Sequence, residues 1–61
     1  MKIGDAVVGA KVTDSWWPEK VGRVVKQSQM FIHVQWFYPE RSKWKYDEEH
    51  ADLFLREAKN D

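Results

Sequence analysis

Aromatic side chains are the residues of this chain whose types and spacing could do chemistry, and that chemistry is recognition. Trp16-Trp17-Pro18 forms one cluster and Trp36-Phe37-Tyr38-Pro39 a second, with Trp44 and Tyr46 following two residues apart. Four tryptophans, two tyrosines and three phenylalanines in 61 residues are more than so small a chain can hide. Ring faces attract cations and stack on other rings or on bases, and Trp and Tyr give much contact area for little lost rotamer freedom. Trp16 and Trp17 point to opposite sides of an extended backbone, so at least one is expected at the surface of a loop, where binding residues concentrate. Trp36 continues the face of Ile32 and Val34 and is a candidate for the core as well as for a partner. The candidate partner-binding patch is Trp16, Trp17, Trp36, Tyr38, Trp44 and Tyr46.

Other chemistries find little support. There is no glycine-rich phosphate loop, no nucleophile with a base at hand and no placed pair of carboxylates. Ser15, Ser28 and Ser42 fall in segments that read as turns, where serine is expected for turn reasons. The absence of cysteine removes disulfides and thiolate metal sites. His33 lies on the strand face opposite Ile32 and Val34 and reads as an ordinary exposed histidine. His50 stands near Glu49 and Asp52 but lacks a second ligand at metal spacing. No enzyme activity, cofactor or metal is expected.

Formal charge is zero, with ten basic and ten acidic residues, and this balance counts against a dedicated nucleic-acid binder. The charges are segregated, however. Residues 19–46 carry six basic side chains (Lys20, Arg23, Lys26, Arg41, Lys43, Lys45) against Glu19 and Glu40. Residues 47–61 carry six acidic ones (Asp47, Glu48, Glu49, Asp52, Glu57, Asp61) against Arg56 and Lys59. A charge dipole is the expected consequence. No stretch approaches the roughly 18–20 apolar residues of a membrane span, and Met1-Lys2-Ile3-Gly4-Asp5 lacks the apolar core of a signal peptide. With the lack of cysteine, this leads us to expect an intracellular, cytoplasmic protein with no membrane partner.

The elements that must position these rings are short strands. Gly4-Asp5 is a turn signal; a first strand is expected over 6–12, with Gly9 as a bend or bulge. A loop over 13–20 holds Trp16, Trp17 and Pro18. Strands are expected over 21–26, 30–37 and 43–46, joined by turns at 27–29 and 38–42. Over 47–59, Asp47 suits a helix N-cap, Glu48 and Glu49 a first turn, and Arg56 and Lys59 a last one. A helical turn followed by a brief closing strand over 53–55 competes with a full helix. The closing strand is favoured because it covers an exposed edge. The expected fold is all-β: one domain over 1–61, a small SH3-like barrel of about five strands with a short helical turn near the C-terminus.

Gly4-Asp5-x-Val7, then Ala10-Lys11-Val12-Thr13-Asp14-Ser15-Trp16-Trp17-Pro18 and Gly22-x-Val24, resembles the opening of Tudor and PWWP-type domains. Val34-Gln35-Trp36 and Ser42-Lys43-Trp44-Lys45-Tyr46 are similar to their third and fourth strands. Gly4-Asp5-x-Val7 and Gly22-x-Val24 also resemble KOW-type barrels, and Asp14-Ser15-Trp16-Trp17 followed by Val21-Gly22-Arg23-Val24-Val25 is similar to the small SH3-like accessory subunit of photosystem I. The Tudor resemblance implies an aromatic cage for a methylated side chain. Trp17 (or Trp16), Trp36 and Trp44 fall at cage positions, and Asp14 or Glu40 could supply an assisting acid. Val12 departs from the pattern, since an aromatic often stands there, so Tyr38 or Tyr46 would have to complete the cage.

These readings converge on a non-catalytic module that binds a protein or peptide through the aromatic patch, with a methylated side chain as the specific version. Nucleic acid is the alternative partner, held by phosphate contacts from Lys20, Arg23, Lys26, Arg41, Lys43 and Lys45 and by stacking tryptophans. Membership of a larger complex is a third reading. Tryptophan-rich exposed edges also suit a homodimer.

Overall fold

The structure, a computed structural model, describes residues 2–58. Its core is organised on the interior strand β3 (Ile32–Tyr38), where strict alternation sends Ile32, Val34 and Trp36 inward. β2 (Val21–Gln27) pairs along one side of it and β4 (Ser42–Tyr46) along the other, both antiparallel. β1 (Lys11–Asp14) pairs with β2, and β5 (Leu55–Glu57) returns to pair with β1. The sheet order is therefore β4-β3-β2-β1-β5, an all-β arrangement of five antiparallel strands in one sheet with one short helix. The helix α1 (Glu48–Phe54) links the two edge strands and packs on both.

The core contains Val12 from β1, Val24 from β2, Ile32, Val34 and Trp36 from β3, Tyr46 from β4, Ala51 from α1 and Leu55 from β5. Ile3, on a 3-10 turn (Ile3–Asp5), and Ala6 close one end. Trp36 has no exposed surface. Burying its ring is worth about 4–6 kcal/mol, taking ~150–250 Å² at ~25 cal/mol per Å². Its indole N–H, which would be costly to leave alone, donates to the Tyr46 hydroxyl at 3.1 Å. The ring rests on β2 at Gly22, where a Cβ would meet Trp36 Cε3 at 2.6 Å.

Several element boundaries differ from the sequence expectation; β3, for one, starts at Ile32 rather than at Met30. The strand expected over 6–12 begins only at Lys11, because the chain turns first: the Ala10 N–H bonds back to Val7 O at 2.9 Å. Gly9 sits at φ +94°, which only glycine adopts readily, so the expected bend is a turn ahead of β1. β1 then runs on through Thr13 and Asp14, which had been read as loop. At the other end, the helix takes two turns and the closing strand starts at Leu55, two residues later than expected. Ala51 and Leu55, four apart and both fully buried, carry the chain from the inner side of α1 into β5. Asp47 caps the helix as expected, accepting the His50 backbone N–H at 2.8 Å. Lys59 and Asp61, counted among the C-terminal charges, lie outside the described residues.

No helix among the described residues is long and apolar enough to cross a membrane.

Candidate functional site

The loop between β1 and β2 is where a strand end, a tryptophan pair and the helix C-terminus are tied together. Asp14, the last residue of β1, accepts the backbone N–H of Trp16 at 2.7 Å and of Trp17 at 3.2 Å. This is the side-chain turn that aspartate favours. Ser15 then fastens the loop to α1: its N–H donates to Phe54 O at 2.8 Å and its hydroxyl to Leu53 O at 2.6 Å. The Lys20 N–H closes the loop on Trp17 O at 2.9 Å. Trp16 is thereby held 81% exposed, yet its ring centroid lies 6.5 Å from that of Phe54.

Beside this loop, an open groove of about 470 Å³ runs between β4 and α1. Phe31, Trp44, Tyr46 and Phe54 supply its rings, and Asp14, Lys20, Lys45, Asp47 and His50 its charged or titratable groups. The register explains why β4 contributes two rings. Trp44 pairs with Val34 and Tyr46 with Ile32, so both point to the inner side of the sheet, at its edge. Tyr46 is nearly covered, while Trp44 remains 56% exposed.

The cation at the centre of this site belongs to the chain itself. Lys20 Nζ stands 4.5 Å from the Trp36 ring centroid and 6.0 Å from that of Trp44. It fills the position over the ring faces that a ligand's ammonium would take in an aromatic cage. Lys45 Nζ likewise lies 4.5 Å over Phe31. Opposite them, His50 Nδ1 meets Asp47 Oδ1 at 2.8 Å, and the imidazole stacks on Phe54 with centroids 6.0 Å apart. Hydrogen bonds from the His50 backbone and side chain hold the Asp47 carboxyl below its ordinary range, and the Asp47 side chain raises His50. Burial raises the Tyr46 phenol, partly offset by its bond to Trp36.

The expected aromatic patch is thus divided. Trp44 lines the groove and Trp16 flanks it through Phe54. Trp36 must be moved from patch to core: it is wholly buried beneath Lys20, with no surface to offer a partner. Tyr46 also belongs mainly to the core, 8% exposed, because its hydroxyl is drawn in by the Trp36 indole. Trp17 and Tyr38 are exposed but do not line the groove. Tyr38 pairs with Val21, which shares the outer face of β2 with Arg23. Of the cage acids, Asp14 lines the groove and Glu40 does not.

The basic residues divide as well. Lys20 turns into the groove, Arg41 is exposed in the turn before β4, and Arg23, Lys26, Lys43 and Lys45 fall on the outer side of the sheet. Sequence reasoning missed Phe31, Phe54, Asp47 and His50 as groove residues. The available signal for Phe54 is that Ala51, Phe54, Leu55 and Ala58 fall on one face of a helical projection. Among the described residues, no three His, Cys, Asp or Glu side chains gather in a way that could hold a metal ion.

No family model, no curated protein and no solved structure matches this chain.

Proposed function

We propose that this chain is a non-catalytic binding module that takes an extended protein segment into the groove between β4 and α1. The observation that carries this reading is the convergence of Phe31, Trp44, Tyr46 and Phe54 on one open concavity, with Trp16 held exposed at its margin. Grooves lined by rings on a rigid sheet suit extended peptides, whose apolar side chains or prolines slot between the rings. The charged lining, Lys20 and Lys45 with Asp14 and Asp47, would add polar contacts to the bound chain. For a methylated lysine the same corner is suitable only when Lys20 withdraws, since both cations seek the faces of Trp36 and Trp44.

The test is selection from a random displayed-peptide library on the immobilised protein, with Trp44→Ala as the counter-target. Peptides enriched on the parent protein, lost on the variant and shifting the Trp16 and Trp44 indole NMR signals would support the proposal. If nothing is enriched, or if enriched peptides bind the variant equally well, the groove is not a peptide site.

A further inference from the structure

The strand register collects a second surface, which meets the groove only at Lys45. Lys11 of β1 pairs with Arg23 of β2, Arg23 with Gln35 of β3, and Gln35 with Lys43 of β4. Directly paired residues in an antiparallel sheet share a face, so these four form one row across four strands. One step along, Lys26 pairs with His33 and His33 with Lys45, which makes a second row. Arg56 joins the same face through its pairing with Thr13, the alternate neighbour of Lys11. Six cations and a histidine therefore lie in register on this face with no acidic residue among them; five of the cations stand clear of the groove, and Lys45 reaches its margin over Phe31.

Among the described residues none of the six has a carboxylate partner. Arg23 gives one N–H to Gly9 O, and Arg56 donates from one nitrogen to Asp52 O and Leu55 O. These bonds orient the guanidinium groups without cancelling their charge. Formal neutrality hides this face because compensating acids sit elsewhere: Glu48 and Glu49 in the first turn of α1, Asp14 and Asp47 in the groove. Such a dipole turns one side of the molecule toward a polyanion.

From this geometry we infer that the outer sheet face is a binding site for single-stranded nucleic acid. Two rows of cations, about 7 Å apart along the strands, can follow a phosphodiester backbone. Exposed rings lie at one end of the face: Tyr38 by its pairing with Val21, and Phe37 in the irregularity opposite Val21 and Gly22. Unpaired bases offer free faces to stack on these rings, which the bases of a duplex do not. A membrane fits less well, since the most exposed tryptophans, Trp16 and Trp44, are associated with the groove and could not anchor a bilayer under this face. The site shares only Lys45 with the groove, so its failure would leave the peptide reading standing.

Fluorescence anisotropy with a labelled oligothymidylate of about 12 nucleotides tests the assignment across about 50–200 mM salt. Binding is expected to weaken with salt at a logarithmic slope of about −3 to −4, as four to six phosphate contacts require at ~0.7 per contact. Lys26→Glu/Lys43→Glu should cost at least about tenfold and remove about 1.4 from that slope, with the amide spectrum showing an intact fold. Tyr38→Ala should weaken binding with the slope unchanged. The inference is overturned by no binding or by binding insensitive to Lys26→Glu/Lys43→Glu. It is also overturned by a duplex binding as tightly as the single strand, or by vesicles of phosphatidylserine and phosphatidylcholine binding where the oligonucleotide does not.

Discussion

Gly22→Ala isolates the contact on which the core depends. Gly22 lies in the middle of the sheet, paired with Trp36 on β3 and close to β1 through the Val12 pairing. A Cβ built there would stand 2.6 Å from Trp36 Cε3, 3.0 Å from Trp36 Cζ3 and 2.8 Å from the Gln35 carbonyl oxygen. Neither neighbour yields easily. The carbonyl is part of the β3 backbone, and the indole is fully buried and tied to Tyr46. Overpacking of this kind costs about 1–3 kcal/mol, and two unyielding contacts place it toward the upper end. In a domain of this size each kcal/mol is worth about 4–8 °C, so the melting temperature should fall by roughly 10 °C or more. Urea unfolding followed by tryptophan fluorescence measures the free energy directly. A second background apportions it: in Trp36→Leu the ring contacts vanish and the carbonyl contact stays, so the cost of Gly22→Ala should shrink without disappearing. An unchanged Gly22→Ala variant, or an identical cost in both backgrounds, would refute the reasoning.

Three further outcomes follow from the same geometry. Tyr46→Phe removes the acceptor of the buried Trp36 indole N–H and should cost about 1–3 kcal/mol by urea unfolding, despite the change being one oxygen atom. The His50–Asp47 pair gives stability a pH window. The raised His50 value makes its contribution complete below about 6.5 and lost as pH rises through the raised value. The lowered Asp47 value makes its contribution complete above about 4 and lost as pH falls through the lowered value. Thermal melts should therefore show greatest benefit between those limits, and His50→Ala should flatten the alkaline side. Lys20→Ala vacates the position over Trp36 and Trp44, so tetramethylammonium should shift the indole signals of the variant and leave those of the parent protein unchanged.

Much of the fold was legible because period-two patterning is strong where one face is buried. Ile32, Val34 and Trp36 identified β3, and Val21 to Lys26 identified β2, to within two residues. The 6–12 segment misled because Val7 and Val8 look like strand residues. Their side chains are mostly exposed, and Gly9 turns the chain before pairing begins. The candidate site was less legible. Ring content pointed to recognition, but which rings were core depended on pairings that one sequence does not display. Trp36 and Trp44 are equally aromatic, yet one lies on an interior strand and the other on an edge. Phe54 lines the groove from the end of α1, to which Ser15 ties the loop across a long stretch of sequence. The basic face escaped a linear count of charges for a related reason: Lys11 and Arg56 are distant from Lys43 in sequence and share its face only through four strand pairings.

The most direct test of the two-surface account is a two-dimensional amide and indole NMR titration of the isotopically labelled protein. A library-selected peptide and then oligothymidylate would be added to the same sample. The account predicts that the peptide moves the indole signals of Trp16 and Trp44 together with the amides of Phe54 and His50. The oligonucleotide should then move the amides of Arg23, Gln35 and Lys43 while the peptide stays bound. Displacement of one ligand by the other, with both shifting the same residues, would contradict it.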